Sequence, residues 1–156
     1  MSDYRIYFFV VMLVACPPLP AVTLSTWAPW EIDTVVTAWY LKRHVMPEVK
    51  FQSLAKGTLI DHNASIDIPD SPYRRDAKNT ALDSAIKIHS TSFACIEKLT
   101  YMVRLLELAP WRKSISPDAE LFEQEILPML PKRPMVGGLD PAFSYLDEFC
   151  VHEDRE

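Results

Sequence analysis

The chain has 156 residues, of which only 3 are glycine and 13 are proline, and its net charge is −5. Average usage would give roughly 11 glycines, and with Gly57, Gly137 and Gly138 alone neither a Rossmann G-x-G-x-x-G nor a P-loop can be written, so both nucleotide-binding classes are excluded. The acidic balance argues against non-specific nucleic-acid binding, which needs a basic face to displace counterions, but leaves room for a local basic pocket that takes a small anion.

Residues 6–16 form an unbroken apolar run, I-Y-F-F-V-V-M-L-V-A-C. It is shorter than the ~20 residues a membrane-spanning helix requires and suits the h-region of an export signal. Its end, Leu13-Val14-Ala15-Cys16, is similar to a lipobox in which Cys16 would anchor the chain to a membrane. A buried strand is the competing reading of the same run. Residues 1–20 are therefore set apart as a signal or extension, 21–150 as one domain and 151–156 as a polar tail. The remaining cysteines, Cys95 and Cys150, have no zinc-type spacing. They could pair in an oxidising compartment, but the favoured expectation is two buried free thiols on helices.

The apolar, β-branched stretch 21–27 predicts a strand. In residues 31–44, Ile32, Val35, Val36, Trp39 and Tyr40 recur at helical spacing, and Pro47 stops the helix. Alternation over 49–54 predicts a second strand, and 58–61 and 65–68 are short strand candidates. Strand, helix, strand in this order point to a βαβ unit. The polar stretch 69–78 reads as a loop. Thr80, with Asp83 three residues on, starts a helix with a capping box; Leu82, Ala85, Ile86 and His89 share one face, and His89 reads as a satisfied core histidine. A helix over 93–108 follows and ends at Ala109-Pro110. Ser116-Pro117-Asp118 and Asp140-Pro141 are further helix starts, with Gly137-Gly138 as the turn between them and Phe143, Leu146, Phe149 and Cys150 as the last apolar face. The expected fold is α/β: a small βαβ-type sheet near the N-terminus, then a predominantly helical C-terminal half.

Two groups of residues could carry chemistry. Lys42 and Arg43 at the end of the first helix, with Arg74 and Arg75 from the polar loop, form the candidate oxyanion-binding set, because guanidinium forks suit tetrahedral anions. The competing reading of Lys42 and Arg43 is complementation of the helix dipole. Asp61 and His62 follow an apolar stretch, where α/β folds place ligands. With Asp33 they form the candidate divalent-metal set, although Asp61-His62-Asn63 also reads as a plain turn.

The segment E-I-D-T-V-V-T-A-W-Y-L-K-R-H-V-M-P-E-V-K-F, residues 31–51, resembles the chromate-resistance protein family of the ChrB C-terminal domain type. It matches without a gap at Asp33, Trp39, Arg43, Pro47 and Phe51, with Thr26-Trp27 just before. Leu106-Glu107-Leu108-Ala109-Pro110 and Tyr145-Leu146-Asp147-Glu148-Phe149-Cys150 resemble later stretches of the family in the right order. The resemblance implies a chromate-responsive regulatory or processing domain, here without DNA-binding activity. The leading expectation is thus a domain that binds or responds to an oxyanion such as chromate. A metal-assisted hydrolase or reductase using Asp33, Asp61 and His62 is the enzymatic alternative, and an envelope lipoprotein acting through protein contacts is the third.

Overall fold

The computed structural model describes residues 21–153, so the expectations for an export signal and for Cys16 lie outside the described residues. Strand β1 (Thr23–Trp27) leads into helix α1 (Ile32–His44), which returns the chain to β2 (Lys50–Leu54), parallel to β1 with Leu24 opposite Phe51. This is the predicted βαβ unit. A strand of only two residues, β3 (Met135–Val136), adds to β2 in antiparallel sense and gives the sheet order β1-β2-β3. The sequence reading has no β3, because two residues carry no alternation; Gly137, with a left-handed φ of 71°, follows the strand and turns the chain away.

The remainder is helical: α2 (Ala81–His89), α3 (Ala94–Leu108), α4 (Pro117–Ile126) and α5 (Asp140–Glu153), with 3-10 turns at His62–Ala64, Pro110–Ile115 and Leu127–Met129. The starts read from sequence are where they were expected. Thr80 accepts from the Asp83 N–H while the Asp83 carboxylate accepts from the Thr80 N–H, the full capping box. Ser116 accepts from the Ala119 N–H, with Pro117 at the first helical position. Helix α5 runs to Glu153, so its last turn takes up part of the expected polar tail; Glu153 is tied to Lys98 of α3.

The expected strands at 58–61 and 65–68 are not strands. Leu59 is 98 % exposed and offers no face to a core, and Asp61 caps the short 3-10 turn by accepting from the Asn63 N–H. Ser65 and Ile66 each make a single isolated bridge, and the left-handed φ of 55° at Asp67 prevents extension.

Helix α1 lies at the centre, packed against α2, α3 and α5, and every residue from Ile32 to Leu41 is buried. Its polar members are bonded: Thr37 donates to Asp33 and Thr34 to Asp67. Trp39 is core, as expected, with its indole N–H donated to Asp147 of α5. His89 is half-buried rather than core; its Nε2 lies 2.9 Å from the Tyr73 hydroxyl. The expectation of free thiols is corrected: Cys95 at the start of α3 and Cys150 near the end of α5 form a disulfide, with Cα atoms 5.2 Å apart. Both residues do lie on buried helix faces, and packing of α3 against α5 brings those faces together. No helix among the described residues is long and apolar enough to cross a membrane.

Candidate functional site

A cleft of about 410 Å³ opens at the C-terminal ends of the two parallel strands. Thr26 and Trp27 from the end of β1, Pro29 and Glu31 from the turn into α1, Thr34 from its first turn, Lys56 from beyond β2, and Asp67, Arg74 and Arg75 from the polar loop line it. Open α/β sheets place ligands at this end because successive strand termini and helix starts converge there.

At its inner wall Arg75 is the hub. Its Nε donates to both oxygens of Asp67, at 2.9 and 2.8 Å, and its Nη2 also bonds that carboxylate. Nη1 donates to Glu107 at the end of α3, at 2.9 Å, and Nη2 to Glu31. The same Nε lies 3.9 Å from Asp33. Burial by itself would lower the Arg75 pKa, but the Asp67 hydrogen bond and the charges of Asp67, Glu107 and Glu31 raise it well above its ordinary value, so Arg75 is permanently cationic. Asp67 reaches the guanidinium from a left-handed backbone, a conformation aspartate tolerates better than most residues.

Asp33 sits beneath this hub and is fully buried. Its carboxylate accepts from the Ala81 N–H at 2.6 Å and the Leu82 N–H at 3.0 Å. With the Thr80–Asp83 capping box, this satisfies the donors that the first turn of α2 cannot pair internally. Burial pushes the Asp33 carboxyl up to about 7, against the two backbone hydrogen bonds, which pull it down. Burial likewise raises Glu107, partly offset by Arg75. With the Asp33 carboxyl raised to about 7, the negative charge beneath Arg75 is smaller near neutrality than a count of carboxyl groups implies.

The structure separates the predicted cations. Arg74 and Arg75 share the cleft, whereas Lys42 and Arg43 are used at the other end of α1. Lys42 donates to the Pro47 and Val49 carbonyls, at 2.8 and 3.0 Å. Arg43 grips Asp147 with two parallel bonds, Nε at 3.0 Å and Nη2 at 2.6 Å, and that hydrogen bond raises its pKa. Trp39 shares the same carboxylate, so the motif residues Trp39 and Arg43 lock α1 to α5. The predicted metal set also disperses: Asp33 caps α2, Asp61 caps its own 3-10 turn, and the His62 Nδ1 lies 3.0 Å from the Pro69 carbonyl. Among the described residues no group of three or more His, Cys, Asp or Glu side chains could hold a metal ion.

Arg74 is the looser of the two cleft arginines. Its only ion pair among the described residues is a 3.4 Å contact with Asp70, and its side chain is 57 % exposed. Lys56, which lines the same cleft, is exposed. Sequence reasoning missed Lys56, Thr34, Glu31 and Asp67 as lining residues and Glu107 as an Arg75 partner. Glu31, Thr34 and Glu107 did lie inside the stretches that carried the family resemblance, and that was the available signal.

The family model described as ChrB, C-terminal domain, matches residues 25–149. It spans the cleft, the Arg75 hub and the Trp39–Arg43–Asp147 lock. No curated protein and no solved structure matches the chain.

Proposed function

Because the chain belongs to the ChrB C-terminal domain family of chromate-resistance proteins, we propose that its cleft binds a small tetrahedral oxyanion such as chromate. The observation that carries this reading is that two weakly committed cations, Lys56 and Arg74, both line a cleft at the strand ends. A dianion needs more than one charged donor to offset its dehydration, and the Thr26 and Thr34 side chains line the same cleft. Arg75 is a positioning residue in this account, since Asp67, Glu31 and Glu107 already use its guanidinium. The net charge of −5 favours a small anion confined to this cleft over a nucleic acid.

Calorimetric titration of the full chain with chromate, and separately with sulfate, tests the reading. Binding is expected, weakened about tenfold or more by Arg74→Ala or Lys56→Ala, as for loss of one charge-assisted hydrogen bond. Arg43→Ala is expected to leave the affinity unchanged, because Arg43 faces Asp147 and not the cleft. Absence of binding by both anions, or an equal loss in Arg43→Ala and Arg74→Ala, overturns the assignment.

Glu31 provides a second handle. Its carboxylate is 52 % exposed and lines the cleft while bonded to Arg75, so it repels any anion that enters. Glu31→Gln is expected to tighten oxyanion binding by about 1 kcal/mol, roughly fivefold. The same titration reads the change, and weaker binding in the variant would show that Glu31 helps to build the site.

A further inference from the structure

A second concavity, of about 580 Å³, lies between α5 and the end of α4 with its 3-10 continuation. Pro128 and Met129 form one side and the rings of Tyr145 and Phe149 the other, with Glu125 and Glu148 exposed at its edge. No lysine or arginine is among its lining residues. Tyr145 and Phe149 pack on each other at 6.4 Å and on the buried Phe122 at 5.9 and 5.7 Å, so both rings are fixed. The Tyr145 hydroxyl donates to Glu125 at 2.9 Å, which holds that carboxylate against the aromatic wall.

One cation of the chain already sits against Phe149, although it does not line the concavity. The ammonium of Lys98 lies 5.7 Å from the centre of the Phe149 ring and 2.6 Å from Glu153. An aromatic face beside a carboxylate is the arrangement that attracts a desolvated cation. Lys98 serves Glu153 and Asp118, which leaves Glu125 and Glu148 with no cation among the described residues. We propose that this concavity docks a lysine- or arginine-bearing segment of a partner protein, with a cationic side chain held over Tyr145 and Phe149 between Glu125 and Glu148. The site is separate from the oxyanion cleft and does not depend on it.

The test uses the full chain and a fluorescein-labelled octapeptide of alternating lysine and leucine, with its glutamate–leucine counterpart, read by fluorescence anisotropy. The lysine peptide is expected to bind and the glutamate peptide not to. The double variant Glu125→Gln/Glu148→Gln is expected to weaken binding about tenfold or more. Glu48→Gln, an exposed acid elsewhere on the chain, is expected to leave it unchanged. Tyr145→Leu keeps the apolar volume and removes the ring face, and should weaken binding while circular dichroism stays native. No binding of the lysine peptide, equal binding of both peptides, or equal effects of the double variant and Glu48→Gln overturns the proposal. Sedimentation velocity covers the other occupant: a dimer that the double variant dissociates would assign the groove to a second copy of the chain and overturn the partner assignment.

Discussion

Reduction of the Cys95–Cys150 bond is expected to lower the stability of the folded chain by about 4 kcal/mol, the chain-entropy value for a loop of this length. The bond spans 55 residues and closes α3, α4, β3 and α5 into one loop. Breaking it leaves the folded contacts in place but releases the unfolded chain from its tether. In urea, at a slope of about 2 kcal/mol/M, the midpoint should fall by about 2 M on reduction. The double variant Cys95→Ser/Cys150→Ser should fall at least as far, because Cys95 is fully buried and a hydroxyl there needs a partner. A midpoint that does not move on reduction would mean that the two thiols are not bonded in the folded protein.

The second large effect is expected at Asp33. Asp33→Ala leaves the buried Ala81 and Leu82 N–H groups without acceptors, at about 1–3 kcal/mol each; a total loss of about 3–5 kcal/mol in urea or thermal unfolding is the expected result. Asp33→Asn keeps one acceptor oxygen but turns an NH2 group toward the other donor, so it should cost roughly half as much. The pH dependence has a definite sign. The carboxyl is raised from 3.8 to about 7 in the folded chain. Between these values the folded state holds a proton that the unfolded state has released. The stabilisation is thus complete below pH 3.8 and is lost as pH rises through 7, with a slope of up to about 1.4 kcal/mol per pH unit. Stability measured at pH 5 and pH 8 should differ more in the parent chain than in Asp33→Asn. Equal differences in the two chains would show that Asp33 is ionised throughout this range.

The parts of the fold legible in the sequence are those fixed by local chemistry. Thr80 with Asp83, and Ser116 with Pro117, mark helix starts because the capping bonds lie within four residues. The βαβ unit was legible because its strands are apolar and its helix is periodic. The short bridges at Ser65 and Ile66, the β3 pairing and the disulfide were not, since each depends on a partner far along the chain. The same division runs through the site. Arg74 and Arg75 were identifiable as charged loop residues, but that Arg75 would be consumed by Asp67, Glu31 and Glu107 depends on three elements meeting. Lys42 and Arg43 sit next to each other in a basic run, yet both point away from the cleft to Pro47, Val49 and Asp147. In the fold they act as ties, Lys42 to the turn after α1 and Arg43 to α5.

The burial of α1 from Ile32 to Leu41 has a consequence in time. A helix with one wet face can fray or open a turn at a time, whereas Ile32–Leu41 has no such face. Its amides can exchange with solvent only when α2, α3 and α5 come away together, so α1 belongs to the slowest-exchanging part of the molecule. Glu31 and Thr34, at the start of this helix, therefore form a fixed wall of the cleft. The facing segment, residues 67–75, is irregular backbone with left-handed residues at Asp67 and Asp70. That segment is nevertheless tied to the same wall through Arg75 and Glu31, so adjustment to an incoming ligand falls to the exposed side chains of Arg74 and Lys56.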